Sequence, residues 1–154
     1  MRIFLALLAL SAAAPAFAQE SAFSAGPVFG QFGMTAATEA EAPPQGVVLK
    51  HSFDVAQAGG EGLNRGFDSV ARFINMHVRA GVPRRNVQAA LVVHGGASIE
   101  LTRDAFYGAR HYGRRNPSAA LVAALVAEGV PVYLCGQTAV AQGISRADLI
   151  PGSA

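Results

Sequence analysis

Val130-Pro131-Val132-Tyr133-Leu134-Cys135-Gly136-Gln137-Thr138 is the stretch from which the fold of this 154-residue chain is read. Val130, Val132 and Leu134 belong to a short apolar run bounded by turn-forming residues, the pattern of a buried strand. That strand delivers the only cysteine of the chain to the start of a short helix. Immediately upstream, residues 117–128 carry Ala119, Ala120, Leu121, Val122, Ala123, Ala124, Leu125, Val126 and Ala127, a helix with almost no polar face. A helix that is apolar all round is buried on more than one side, and in so small a chain a subunit contact is the expected use. Asn116 and Pro117 start it, as cap and first helical residue, and Gly129 ends it.

Further back, residues 87–94 read as a second strand, with Leu91-Val92-Val93 continuous and apolar, as in a parallel strand covered on both faces. His94-Gly95-Gly96 ends it, and a short helix is expected around residues 98–106. Between residues 63 and 79, Leu63, Phe67, Val70, Ala71, Ile74 and Val78 recur at helical spacing, while Asn64, Arg65, Asp68, Arg72, Asn75 and Arg79 take the opposite face. Gly81 and Pro83 stop this helix. A Gly-rich loop at residues 59–62 leads into it from a first strand around Val47-Val48-Leu49. Strand, helix, strand, helix, strand predicts an α/β fold with a small parallel sheet and right-handed crossovers.

The N-terminal part reads differently. Arg2, the apolar residues 3–10 and Ala16-Phe17-Ala18 make the pattern of a signal peptide over residues 1–18, cleaved near Ala18. The apolar run is too short for a permanent membrane span, so no stable membrane anchor is expected and the mature chain is periplasmic or secreted. Residues 19–45 are rich in Ala, Gly, Ser, Thr and Pro, and Phe23, Val28, Phe29, Phe32 and Met34 follow no period. They predict a flexible arm or linker, with its aromatics laid in a groove on the domain or a neighbouring subunit. Residues 46–154 form the α/β domain.

Twelve basic and ten acidic side chains give a formal charge of +2. Arg84-Arg85 and the cluster Arg110, Arg114, Arg115 make no basic stripe with interleaved aromatics, which argues against nucleic-acid binding. A single cysteine excludes an intramolecular disulfide and a multi-thiolate metal centre. It leaves an inert thiol, an intermolecular bridge or a functional thiol. His51, His94 and Cys135 are metal-ligand types without a supporting local spacing, so no metal is expected. Gly60-Glu61-Gly62 with Gly66 is a loose likeness of a phosphate loop, and no acidic residue ends the second strand to meet a ribose. No cofactor follows from these patterns.

Ligands of open parallel sheets sit outside the carboxyl ends of the strands. By this reading His51, Phe53 and Asp54 fall there after the first strand, His94-Gly95-Gly96 after the second, and Cys135-Gly136-Gln137 after the third. Cys135 and His94 are the catalytic candidates, with Gly95, Gly96, Gly136, Gln137 and His51 as ligand-binding ones. A thiol at a helix N-terminus meets free N–H groups that favour the reactive thiolate. Gly136 would let the backbone turn closely around the sulfur, and Gln137 would hydrogen-bond a bound group. His94 would move protons, since imidazole changes charge near neutral pH. The alternative for Cys135 is a small buried hydrophobe at a strand end. His111, among Tyr107, Tyr112 and several arginines, lies in a segment placed to cover the site or simply exposed to solvent.

The strand ending Val92-Val93-His94-Gly95, the Asn116-Pro117 helix start, and Val132-Tyr133-Leu134-Cys135-Gly136-Gln137 followed by Gly143-Ile144 resemble the DsrE/DsrF-like proteins, in particular their exported single-domain members. The resemblance covers about residues 46–151. It implies a flavodoxin-like, three-layer sandwich with central strand order 2-1-3, and homo- or hetero-oligomers. It also implies a cysteine in this region that accepts sulfur as a persulfide and passes it to a partner thiol. Family members continue beyond Asp148-Leu149-Ile150-Pro151 into a further strand and helix. The sequence given stops at Ala154, so either it is a piece of a longer chain or the sheet is shortened and its bare edge is covered by a partner or the N-terminal arm. Relay members work among reduced thiols, whereas an exported chain meets an oxidising compartment.

Two functions follow as expectations. One is a thiol-dependent sulfur-handling protein acting through Cys135 on a small sulfur species or a thiol-bearing partner protein. The other is a non-catalytic oligomeric module that binds a small ligand or a partner at the same cleft.

Overall fold

The computed structural model describes residues 22–39 and 43–154. The expected signal segment, residues 1–18, lies outside the described residues. The elements run β1 (Leu49–Val55), α1 (Arg65–Arg79), β2 (Val87–Val93), α2 (Asp104–Arg110), α3 (Ala119–Ala127), β3 (Val132–Leu134) and α4 (Gly136–Gln142). A 3-10 helix, Gly95–Leu101, replaces the first part of the helix expected around residues 98–106.

The three strands are parallel and lie in the order β1-β2-β3. Leu49 to Val55 pair with Val87 to Val93, and Leu91 to Val93 pair with Val132 to Leu134. The α/β class with a small parallel sheet is therefore as the sequence implies. The strand order is not the 2-1-3 of the resemblance. The most continuously apolar strand, β2, takes the centre, where both its edges are hydrogen-bonded and one face is sealed by Val87, Leu91 and Val93.

Strand order decides where the helices go. Both crossovers step in the same direction across the sheet, so helices of one crossover hand fall on one face. In agreement, α1 packs on β1 and β2, α3 packs on β3, and α1 and α3 touch each other. Between them lie Phe67, Val70, Ile74, Leu121, Val122 and Leu125, all fully buried. The other sheet face presents Lys50, Ser52, Asp54, Gln88, Ala90, Val92 and Tyr133, which are exposed or half-buried. Among the described residues no helix covers it, so the outer layer of a three-layer sandwich is not seen there. The surface of α3 turned away from the core is limited to Ala120, Ala123 and Ala127.

The N-terminal segment folds onto α1. Asn75, placed by its spacing on the polar side of that helix, is completely buried. Its Oδ1 accepts the backbone N–H groups of Val28 at 3.0 Å and Phe29 at 2.9 Å. Its Nδ2 donates to the carbonyls of Phe29, Phe32 and Gly33. Phe29 is thereby seated in the core. Gly33 has φ +59°, and a Cβ there would stand 2.3 Å from the backbone nitrogen of Arg72. A side chain at this position would therefore lift the strap off the helix. Asp68 accepts from the Gly33 N–H, and Arg79 donates to Thr35 and Ser24. Residues 24–35 thus form a closed strap on the domain, where the sequence predicted a flexible arm.

The strap lies away from the free edge of β3. That edge is met instead by Ala154, whose N–H donates to Val132 and whose carbonyl accepts from Leu134. Asn75→Ala removes the five hydrogen bonds that Asn75 makes to the strap and leaves buried backbone groups without partners, while the Asp68 and Arg79 contacts remain. We expect a loss of about 2–4 kcal/mol in urea unfolding, with rapid proteolysis confined to residues 22–39 while the sheet stays resistant.

Candidate functional site

β2 and β3 end side by side, and this register brings Cys135 and His94 to the same margin of the sheet. The N–H of Cys135 donates to Val93 at 2.9 Å, and the N–H of His94 donates to Val55 at 3.0 Å. Two backbone bonds therefore carry the β ladder one residue past each strand end and fix both functional residues. Gly95 turns the chain with φ +57°, and a Cβ there would be 2.9 Å from the carbonyl oxygen of Ala56. The turn thus requires glycine.

Cys135, His94, Asp54, Ser52 and Val92 line one shallow concavity of about 380 Å³ on the uncovered sheet face. Alternation along β1 directs Ser52 and Asp54 to this face. The Nε2 of His94 lies 2.5 Å from Oδ1 of Asp54. A carboxylate accepts, so Nε2 carries the proton and Nδ1 is left as the basic nitrogen of the neutral ring. The pair is open to water, with Asp54 71% and His94 40% exposed at the side chain. It orients the imidazole and stabilises the fold little.

Cys135 is the N-cap of α4 and is half-buried. The backbone N–H and hydroxyl of Thr138, then the backbone N–H of Gln137, face the sulfur and hold the thiol below its ordinary pKa. These are the second and third residues of the helix, the N–H groups that an N-cap side chain meets. The thiol makes no formal capping hydrogen bond. The effect is the electrostatics of a few aimed dipoles, since a seven-residue helix has little macrodipole to add. The Thr138 hydroxyl also accepts the N–H of Gly95 at 3.4 Å, tying α4 to the turn after β2.

The predicted site residues divide accordingly. Cys135 and His94 come together. Gly95 shapes the turn between them, and Gln137 contributes its backbone. Gly136 has an ordinary φ and open space around it, so the close turn expected of it is not made. Gly96 faces Ala58 and lines a separate cavity. His51 does not join the site. The strand runs on to Val55, well past the apolar run Val47-Val48-Leu49 from which it was read, so His51 lies mid-strand, pairs with Ala89 and turns to the helical face. There its ring stands 4.4 Å from Phe53 and 5.3 Å from Phe73.

Asp54 was expected at this edge but without a role, and Ser52 and Thr138 were missed as functional residues. The signal was present in the alternation Lys50, Ser52, Asp54, which marks a face that no core covers. No group of three or more metal-ligating side chains converges among the described residues. Nor is any described helix long and apolar enough to cross a membrane.

No protein-family model matches the chain, and no curated protein does. Among solved structures it is similar to the crystal structure of the YchN protein from E. coli, at 22% identity and a TM-score of 0.45, over 70% of this chain and 81% of that one. A likeness at this level leaves the α/β architecture to stand on the chain's own sheet and helices.

A thiol held below its ordinary pKa keeps its thiolate as the pH falls, and loses it only on passing the lowered value. Iodoacetamide labelling of Cys135 should therefore rise with pH at an inflection below that of a free thiol. Thr138→Val removes the hydroxyl but keeps the N–H, and should move the inflection upward. Identical profiles for the two proteins would contradict the assigned cause.

Proposed function

We propose that this protein handles sulfane sulfur through Cys135. The observation that carries the reading is the junction of a low-pKa thiol with an imidazole oriented by a carboxylate, on a sheet face open to solvent. The resemblance of residues 46–151 to the DsrE/DsrF-like proteins supports the same chemistry.

The step is a displacement at sulfur. The Cys135 thiolate attacks the outer sulfur of a persulfide or polysulfide donor, a new S–S bond forms to Sγ, and the donor's own S–S bond breaks. The electron pair leaves with the donor thiolate, which takes from His94 the proton that Nδ1 first accepted from the Cys135 thiol. Cys135 is left as a persulfide, and no electrons are gained or lost overall. A partner thiolate attacking the outer sulfur reverses the sequence and restores the cysteine. The N–H groups of Gln137 and Thr138 stabilise the anion at each stage. Asp54 keeps the His94 ring in place. The uncovered sheet face gives a thiol-bearing partner protein room to approach.

In this reading the chain acts after export, in a compartment where a persulfide is protected only by rapid transfer. It assembles as a homo-oligomer. A second reading is favoured by the bare sheet face itself. There the chain is a non-catalytic module that binds a partner or small ligand through Lys50, Ser52, Gln88, Ala90 and Tyr133, and Cys135 is incidental.

Intact mass after incubation with a polysulfide decides between them. The sulfur-handling reading expects a gain of one sulfur atom on the wild-type chain, reversed by a small thiol. Cys135→Ser should show none, and His94→Ala should load more slowly. No adduct on wild type, or an equal one on Cys135→Ser, removes the reading in favour of the binding module.

A further inference from the structure

A second cavity, of about 350 Å³, lies between the Gly-rich loop and the segment after α2. Its lining includes Glu100, Tyr107, His111, Tyr112 and Arg114, none of which the thiol site uses. Glu100 is 2% exposed, and its carboxylate accepts only neutral donors, the N–H of Gly59 at 2.7 Å and the Nδ2 of Asn64. Burial raises its pKa, and no ion pair to it forms among the described residues. The arginines at the cavity are already matched, Arg114 with Glu61 at 2.7 Å and Arg115 with Asp104 at 2.9 Å. Glu100 is thus the one acidic group at the cavity without an ion pair, with only His111 near enough to act on it as a cation, and a buried charge in that condition is costly.

Two further polar side chains at the cavity, Tyr107 and His111, have a lone pair free to accept. Tyr107 is 3% exposed, yet its hydroxyl makes no hydrogen bond among the described residues, and burial, then the nearby Glu100 carboxylate, raise its pKa against the opposing pull of Arg114. His111 stacks on Tyr107 at 4.0 Å, and its Nδ1 lies 3.0 Å from the Tyr107 carbonyl. A carbonyl only accepts, so Nδ1 bears the proton and Nε2 of the neutral ring is free to accept. Ala58, Ile99 and Pro117 give an apolar wall, and Tyr112, wholly exposed at φ 53°, stands at the rim.

We propose that this cavity binds a small organic cation, a primary ammonium group on a short carbon chain. Its ammonium supplies the missing partner of Glu100 and donates to the Tyr107 hydroxyl and His111 Nε2, while its chain lies along the apolar wall. The site is separate from Cys135 and does not depend on sulfur chemistry there.

Amide NMR titration of the full chain with n-butylamine, n-butanol and butyrate at about pH 8 tests this, since the amine is then protonated. The amine should give saturable shifts at Gly59, Glu100, His111 and Tyr112, with a dissociation constant on the order of millimolar. Butanol and butyrate should not. Tyr107→Phe should weaken the amine about three- to tenfold with an unchanged melting temperature, because the hydroxyl holds nothing in the fold. Glu100→Gln should weaken it about tenfold or more. Cys135→Ser should leave the titration as it is, which separates this site from the thiol. Equal shifts from butanol or butyrate, absence of saturable shifts, or an amine affinity untouched by Tyr107→Phe would overturn the proposal.

Discussion

Strand β2 is hydrogen-bonded along both edges, and this pairing governs the rest of the molecule. With β2 in the middle, the crossovers before and after it move the same way across the sheet. Handedness then places α1 and α3 together on one side. The apolar residues of the strands that face those helices, Val87, Leu91, Val93 and Val132, become the floor of the core. Their alternate neighbours are left on a face without a helical layer. The same pairing sets the ends of β2 and β3 level, so that His94 and Cys135 emerge side by side.

The two sites show opposite uses of electrostatics. At the sheet margin the charges are wet. Asp54 and His94 interact where water screens them, and their value lies in aiming a ring nitrogen. Cys135 is tuned by a few N–H groups and one hydroxyl at short range. In the cavity over Glu100 the charge is dry. Its partners are neutral, and the free energy of the site depends on whether a cation arrives.

Polar side chains also act as structural nodes in this small domain. Asn64 caps α1 through its Oδ1 while its Nδ2 reaches Glu100. Asn116, read from the sequence as a helix cap, donates to the carbonyls of Glu100 and Thr102 and accepts the N–H of Ser118. The helix it precedes therefore begins two residues after Pro117, with Ser118 as cap. Asn75 does for the N-terminal strap what these two do for the loops. Each has a short amide that both donates and accepts, and so can satisfy buried backbone on two sides at once.

The sequence by itself determined the element order, the helical face of α1, the parallel strands and the location of the cysteine at a strand end. These depend on local periodicity, on Gly and Pro punctuation and on the apolar run of Leu91 to Val93, all of which act between near neighbours in the chain. Only the tertiary structure decided that Asp54 meets His94, that His51 faces away, that Asn75 is buried and that Glu100 lies without an ion pair. The physical reason is that these depend on strand order and on contacts between residues far apart in the chain. A residue's own neighbourhood in sequence does not encode which strand will lie beside it, and a polar side chain on a helix reads the same whether water or backbone will meet it.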